Sequence, residues 1–142
     1  MTIPKAIALE IVTPDRPIVH EEVDEVQLPG WDGALGILPG HTPLLAMLRP
    51  GELWYRKGSE RNYVVLDFGM AEVLPDRVTV MVRLADRPEE IDVDREERER
   101  REAEEEMRQA RTAEDAERAR IAMLTAMMKL RAAERARMKR SF

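Results

Sequence analysis

The chain has no cysteine, which excludes disulfides, thiolate metal ligands and a cysteine nucleophile, and leaves the fold with no need of an oxidising compartment. Aromatic residues make up 4% of the 142 positions, so the core must be aliphatic and modest in size. Long apolar runs are missing as well. The longest uncharged stretch, Gly33 to Leu48, falls short of the roughly 20 apolar residues a spanning helix needs, and Pro39, Gly40 and Pro43 break it. The start, Met1-Thr-Ile-Pro-Lys-Ala, has neither the basic flank nor the apolar run of a signal peptide. These absences predict a chain in a reducing cytoplasm with no direct membrane insertion. A formal net charge of -5 lacks the basic footprint of a nucleic-acid binder.

Proline and glycine are absent from one half of the chain. All nine prolines lie at or before Pro88 and all seven glycines at or before Gly69. Because these residues punctuate turns and break helices, the first half reads as many short strands and the second as uninterrupted helix. Two domains are predicted, residues 1–88 and 89–142. In the first, runs of β-formers recur between turn signals: Ala6 to Val12, Val23 to Leu28, Leu44 to Leu48, Glu52 to Arg56, Asn62 to Phe68 and Arg77 to Arg83. Val78, Val80 and Val82 alternate with Thr79, Met81 and Arg83, the period-two pattern of a strand with one buried face. A small sandwich or barrel is predicted.

From Glu89 onward the period becomes helical. Glu96 with Arg100, Glu97 with Arg101 and Glu104 with Arg108 are i,i+4 pairs with the acid N-terminal, each adding about 0.2–0.5 kcal/mol to an exposed helix. Ala103, Met107 and Ala110 give this helix a thin apolar stripe. A second helix is predicted to begin near Thr112, where Thr112-Ala-Glu-Asp115 resembles a capping box. Its apolar positions are Ala116, Ala119, Met123, Ala126, Met127 and Leu130, widened by Ile121, Leu124 and Met128. Two such helices joined by a short turn predict an antiparallel hairpin.

Catalytic chemistry finds little to use. The chain holds two histidines, His20 and His41, and two serines, Ser59 and Ser141, none in a nucleophile-elbow context. Without cysteine or a nearby carboxylate motif the two histidines make no metal site. Glu-rich helix faces are ordinarily solvated, and no Gly-rich phosphate loop is present. No catalytic residue and no metal are expected.

One segment carries a resemblance. Leu28 to Leu53, LPGWDGALGILPGHTPLLAMLRPGEL, is similar to the signature of the epsilon subunit of the F-type ATP synthase, a G-x-L-G-I-x-P-G-H-x-P-L-L hairpin followed by a K/R-P-G turn. Gly33, Leu35, Gly36, Ile37, Pro39, Gly40, His41, Pro43, Leu44 and Leu45 fill the hairpin positions, and Arg49, Pro50 and Gly51 the turn. The resemblance extends to LEIVTPDRPIV, to VLDFGMAEVLPDRVTVMV and to the charged helical end. It implies a ten-stranded β-sandwich followed by a C-terminal antiparallel two-helix hairpin. The implied role is that of a non-catalytic rotor subunit of a proton- or sodium-driven synthase, peripheral on the cytoplasmic face of the bacterial inner membrane. The residues alone leave a second class open, a free-standing coiled-coil adaptor whose sandwich binds another protein.

The resemblance also implies sites. The turn before the signature hairpin faces the c ring, which makes Gly30, Trp31, Asp32, Gly33, Ala34 and His41 the contact candidates. Many relatives carry Glu where Ala34 stands, so an ionic contact from that position is missing. Gly30, Gly33, Gly36 and Gly40 permit tight turns and close backbone approach, while Pro39 and Pro43 limit the loop's freedom. One side of the sandwich binds the gamma subunit. The hairpin can fold down or extend along gamma into the hexamer of alpha and beta subunits, where a basic tail blocks hydrolysis; Arg131, Arg135, Arg137, Lys139 and Arg140 supply such a tail. Some relatives bind ATP through an I/L-D-x-x-R-A motif. Asp92 and Arg95 match it, but Glu96 replaces its Ala, and Thr125 and Lys129 stand near the second-helix arginine positions. ATP is therefore expected to be at most a weak regulatory ligand, and no other cofactor is expected.

Overall fold

The structure, a computed structural model, describes residues 2–140, and for Lys139 and Arg140 the backbone only. The chain separates into two compact units, Met1–Asp86 and Arg87–Phe142. Pro88, read from sequence as the last residue of the first half, opens a 3₁₀ turn, Pro88–Glu90, in the second unit.

The first unit is a ten-stranded β-sandwich. Its strands are β1 (Ile7–Val12), β2 (Pro17–Val23), β3 (Glu25–Gly30), β4 (Gly33–Ile37), β5 (Leu44–Leu48), β6 (Gly51–Lys57), β7 (Glu60–Leu66), β8 (Gly69–Leu74), β9 (Arg77–Val82) and β10 (Ala85–Asp86). They pair in the order β10-β7-β6-β3-β5-β8-β9-β1-β2, with β4 hydrogen-bonded to β3 off this path. All pairs are antiparallel except β1 with β9, a parallel pair that aligns Ile11 with Val80. Alternation explains the packing: Ile7, Leu9 and Ile11 of β1 and Val78, Val80 and Val82 of β9 point inward, and the residues between them point out. Tyr55 is the largest fully buried side chain, so the core is aliphatic around one aromatic anchor. One boundary differs from the sequence reading, and two strands lie outside the runs it named. Val23 ends β2 and Glu25 begins β3, so the run Val23 to Leu28 is two strands. The β2 strand is polar at His20, Glu21 and Glu22, which hid its period, and β4 is glycine-rich and mostly exposed.

Every residue of the sandwich core cluster lies between Ile7 and Ala85. A chain cut after Pro88 is accordingly expected to unfold as one cooperative β-domain, which thermal circular dichroism checks; a broad, non-cooperative melt would show that the first unit does not fold alone.

The second unit contains α1 (Val93–Gln109) and α2 (Ala113–Arg140), packed against each other. The Asp92 carboxylate accepts from the Arg95 backbone N–H at 3.1 Å and caps α1. Thr112 Oγ1 accepts from the Asp115 N–H at 3.0 Å, the expected half of a capping box. Of the three i,i+4 pairs read from sequence, Glu104 with Arg108 forms, at 3.3 Å. Glu97 instead meets Arg100 at i,i+3, and Glu96 points away from solvent to Lys129 of α2. Ala103, Ala119, Ala126 and Ala132 are the buried hairpin alanines, while Leu124 is exposed and Met107, Met123, Met127 and Leu130 are half-buried. Small side chains allow close approach, leaving the longer ones at the margins.

Candidate functional site

The segment Gly30 to Gly33 closes the β3–β4 hairpin as a two-residue turn on Trp31 and Asp32. Two features make glycine necessary. Gly33 has φ +137°, and a Cβ on Gly30 would lie 2.5 Å from the Gly33 carbonyl oxygen. The turn is tied to β5, because the Trp31 N–H donates to the Met47 carbonyl at 2.9 Å and the Arg49 N–H to the Pro29 carbonyl at 3.0 Å. Trp31 stays 57% exposed and meets the Phe68 ring at 6.0 Å between centroids. A cleft of about 590 Å³ runs beside it, lined by the whole turn and by Leu35, Leu44, Leu45, Ala46 and Met47.

Gly40, with φ +87°, belongs to a different place. Its loop follows β4, and its N–H donates to the Pro75 carbonyl at 2.7 Å. His41, in the same loop, contacts the Thr42 carbonyl oxygen through Nδ1 at 2.7 Å. The five residues of β4 separate this loop from the Trp31 turn by roughly 17 Å. Gly30 through Ala34 therefore come together around the cleft and His41 does not join them. Gly36 has ordinary φ and open space where a Cβ would sit, so its glycine serves neither a turn nor a close approach.

An apolar row that sequence reading passed over continues the turn. Pairing across β5, β8 and β9 aligns Met47 with Met70 and Met70 with Met81, and their exposures are 59%, 39% and 45%. Leu45, 65% exposed, extends the patch toward the cleft. The signal was present in the alternation itself: with Val78, Val80 and Val82 inward, Met81 must face out. One row further, the same face turns polar with Glu72, Thr79, Glu10 and His20 in register. Three flexible thioethers and a tryptophan at the surface suit an adaptable protein contact.

In the hairpin, the residues resembling a nucleotide motif are already engaged. Asp92 caps α1, and the Arg95 guanidinium pairs with Glu99 at 3.0 Å. The Thr125 hydroxyl donates to the Ile121 carbonyl at 2.8 Å, and Lys129 Nζ lies 3.6 Å from Glu96 Oε1. Burial raises the Glu96 carboxyl above its ordinary value despite Lys129. In the basic tail, Arg131, Arg135 and Arg137 are exposed, and Arg137 lines a small hollow with Val93, Glu97, Leu130, Ala133 and Glu134. The side chains of Lys139 and Arg140 lie outside those described. Among the described residues no cluster of metal-ligating side chains occurs, and no helix is long and apolar enough to cross a membrane.

The family profile of the ATP synthase, Delta/Epsilon chain, beta-sandwich domain matches residues 6–88. The chain belongs to that family. The ATP synthase epsilon chain of Koribacter versatilis is 51% identical over 88 residues, a match spanning 62% of each chain. That of Nitratidesulfovibrio vulgaris (strain Miyazaki F) is 45% identical over 91 residues, covering 64% of this chain and 68% of the relative. Among solved structures, a chain of the Euglena gracilis mitochondrial ATP synthase, determined as OSCP, F1 and c ring, superposes with a TM-score of 0.79 at 26% identity, over 94% of this chain and 84% of that one. A chain of the Tetrahymena thermophila central stalk and c ring shares the fold, with a TM-score of 0.60 at 15% identity. In this epsilon-type chain the family profile covers the sandwich.

Proposed function

We propose that the chain is the non-catalytic epsilon subunit of a proton- or sodium-driven ATP synthase, held peripherally at the membrane in the central stalk. The observation that carries this reading is the rigid, glycine-closed Trp31 turn running without interruption into an exposed apolar strand face. The turn meets the c ring, with Gly30 to Ala34 as the contact and Asp32 its single charge. The face of Leu45, Met47, Met70 and Met81 meets the gamma subunit. Copurification of tagged chain with gamma is the test: gamma recovered in stoichiometric amount is expected, and its absence would favour a free-standing adaptor with another partner.

The hairpin supplies regulation in this reading. Arg131, Arg135, Arg137, Lys139 and Arg140 face acidic groups on the beta subunit when the hairpin extends into the hexamer of alpha and beta subunits, and block hydrolysis. Each exposed pair contributes about 0.2–1 kcal/mol, so several act together. Replacing Arg131, Arg135 and Arg137 jointly by Ala should raise the ATPase rate of the assembled complex several-fold, while single changes alter it little. Added salt should imitate the triple change, because exposed charges are screened beyond about 8–10 Å. A triple variant inhibited like the parent would remove the electrostatic account. ATP binding is weak in this reading, because Asp92, Arg95 and Lys129 already have partners within the hairpin.

A further inference from the structure

Glu96 is only 6% exposed, unlike its acidic neighbours along α1. Its Oε1 sits 3.6 Å from Lys129 Nζ on α2, long for a charge-assisted hydrogen bond, which closes to about 2.7–2.9 Å. Its Oε2 is buried without a hydrogen-bond partner. An ionised carboxylate removed from water and paired this loosely does not recover its hydration, since repayment of that loss needs close geometry and filled lone pairs. The Lys129 side chain is 15% exposed and loses hydration in turn. The other charged groups acting on Glu96 are on its own helix: Glu99, which opposes its ionisation, and Arg95, which favours it but is drawn to Glu99 at 3.0 Å.

We propose that Glu96 and Lys129 form a proton-responsive latch between the two helices, closing the hairpin more tightly when Glu96 is neutral. Protonation removes a charge that Lys129 compensates only loosely, and with it most of the cost of keeping this carboxyl out of water. The raised titration of the buried carboxyl agrees in sign. An opened hairpin returns Glu96 to water and to a carboxyl pKa near 4.3. With the closed-state value above the open-state one, the extra stability of closure is fully present below the open-state pKa and is lost as pH rises through the closed-state value. Acidification therefore favours the closed hairpin. If the chain is the inhibitory subunit proposed above, which this consequence rests on, acid conditions hold the hairpin away from the catalytic hexamer.

The test needs only the isolated full-length chain, so its outcome is separate from that of the ATP synthase assignment. Carboxyl-carbon NMR should show Glu96 titrating above the other glutamates. Amide-exchange protection in α1 and α2, corrected for intrinsic rates, should fall as pH rises through that titration, by up to tenfold for each unit of the raised pKa, while protection in the strands stays level. Glu96→Gln should hold hairpin protection at the acid-limit value at every pH. Lys129→Met should move the Glu96 titration higher and lower protection at neutral pH. Glu96 titrating with the exposed glutamates, or a pH response persisting in Glu96→Gln, would overturn the latch.

Discussion

Met70→Lys is expected to abolish recovery of the gamma subunit while leaving the chain folded. Met70 is the middle of three methionines in register across β5, β8 and β9, and it is 39% exposed on the outer face, so a longer charged side chain reaches solvent in the free protein. In a complex that covers this face the same ammonium is stripped of water with no acid on the row to meet it. Loss at the centre of such a contact typically exceeds 2 kcal/mol, a weakening of roughly 30-fold or more. Glu72→Gln serves as control, one row along the same face and beside Leu45 rather than Met47; it shifts the formal charge by the same single unit but lies at the rim. Equal retention of gamma by both variants would move the docking face elsewhere.

Legibility from sequence followed the strength of periodic signals. The RVTVMVR run gave its strand, its buried face and, by elimination, the outward Met81, because β-branched alternation leaves one consistent register. The Gly33 and Gly40 turns were legible because glycine at positive φ is a local requirement. The polar strand β2 and the glycine-rich β4 carried too little alternation to be read from their period; for β4 only the resemblance of Gly33 to Leu45 to a signature hairpin pointed to a strand. Of the methionine row only Met81 was legible: each methionine sits on a different strand, and only the pairing of Met47, Met70 and Met81 makes a surface of them.

In the candidate site and the hairpin, the outcome was set by three-dimensional neighbours. Gly30 to Ala34 gather at one cleft, whereas His41, close in sequence and part of the same signature, lies beyond the far end of β4. Glu96 looked like one more exposed acid, with Arg100 four residues on, yet it faces Lys129, thirty-three positions away. Helical spacing ranks intrahelical partners well and says nothing of what the second helix brings. Departure of Glu96 from the Ala of the resembled I/L-D-x-x-R-A motif was legible as a substitution, but its pairing was not.

Gly69→Ala should be the most damaging single change in the sandwich, although glycine there serves no turn. Its added Cβ would lie 2.2 Å from the Met81 carbonyl oxygen and 2.9 Å from Val82 Cα, distances that require the backbone of β9 to move. That strand is held on both sides, by β8 over Gly69 to Leu74 and by β1 in parallel register, so it has no direction in which to yield without breaking a ladder. Overpacking against backbone belongs to the few mechanisms that exceed about 4 kcal/mol, which for a domain of this size lowers Tm by roughly 15–30 °C. Valine adds little further harm, because the first carbon already makes the clash. Gly36→Ala is the comparison: open space surrounds that position, and relief of unfolded-chain entropy should leave Tm unchanged or slightly higher. Differential scanning calorimetry of the two alanine variants decides the matter, since a Gly69→Ala melt within a few degrees of Gly36→Ala would mean that β8 and β9 separate more readily than their pairing requires.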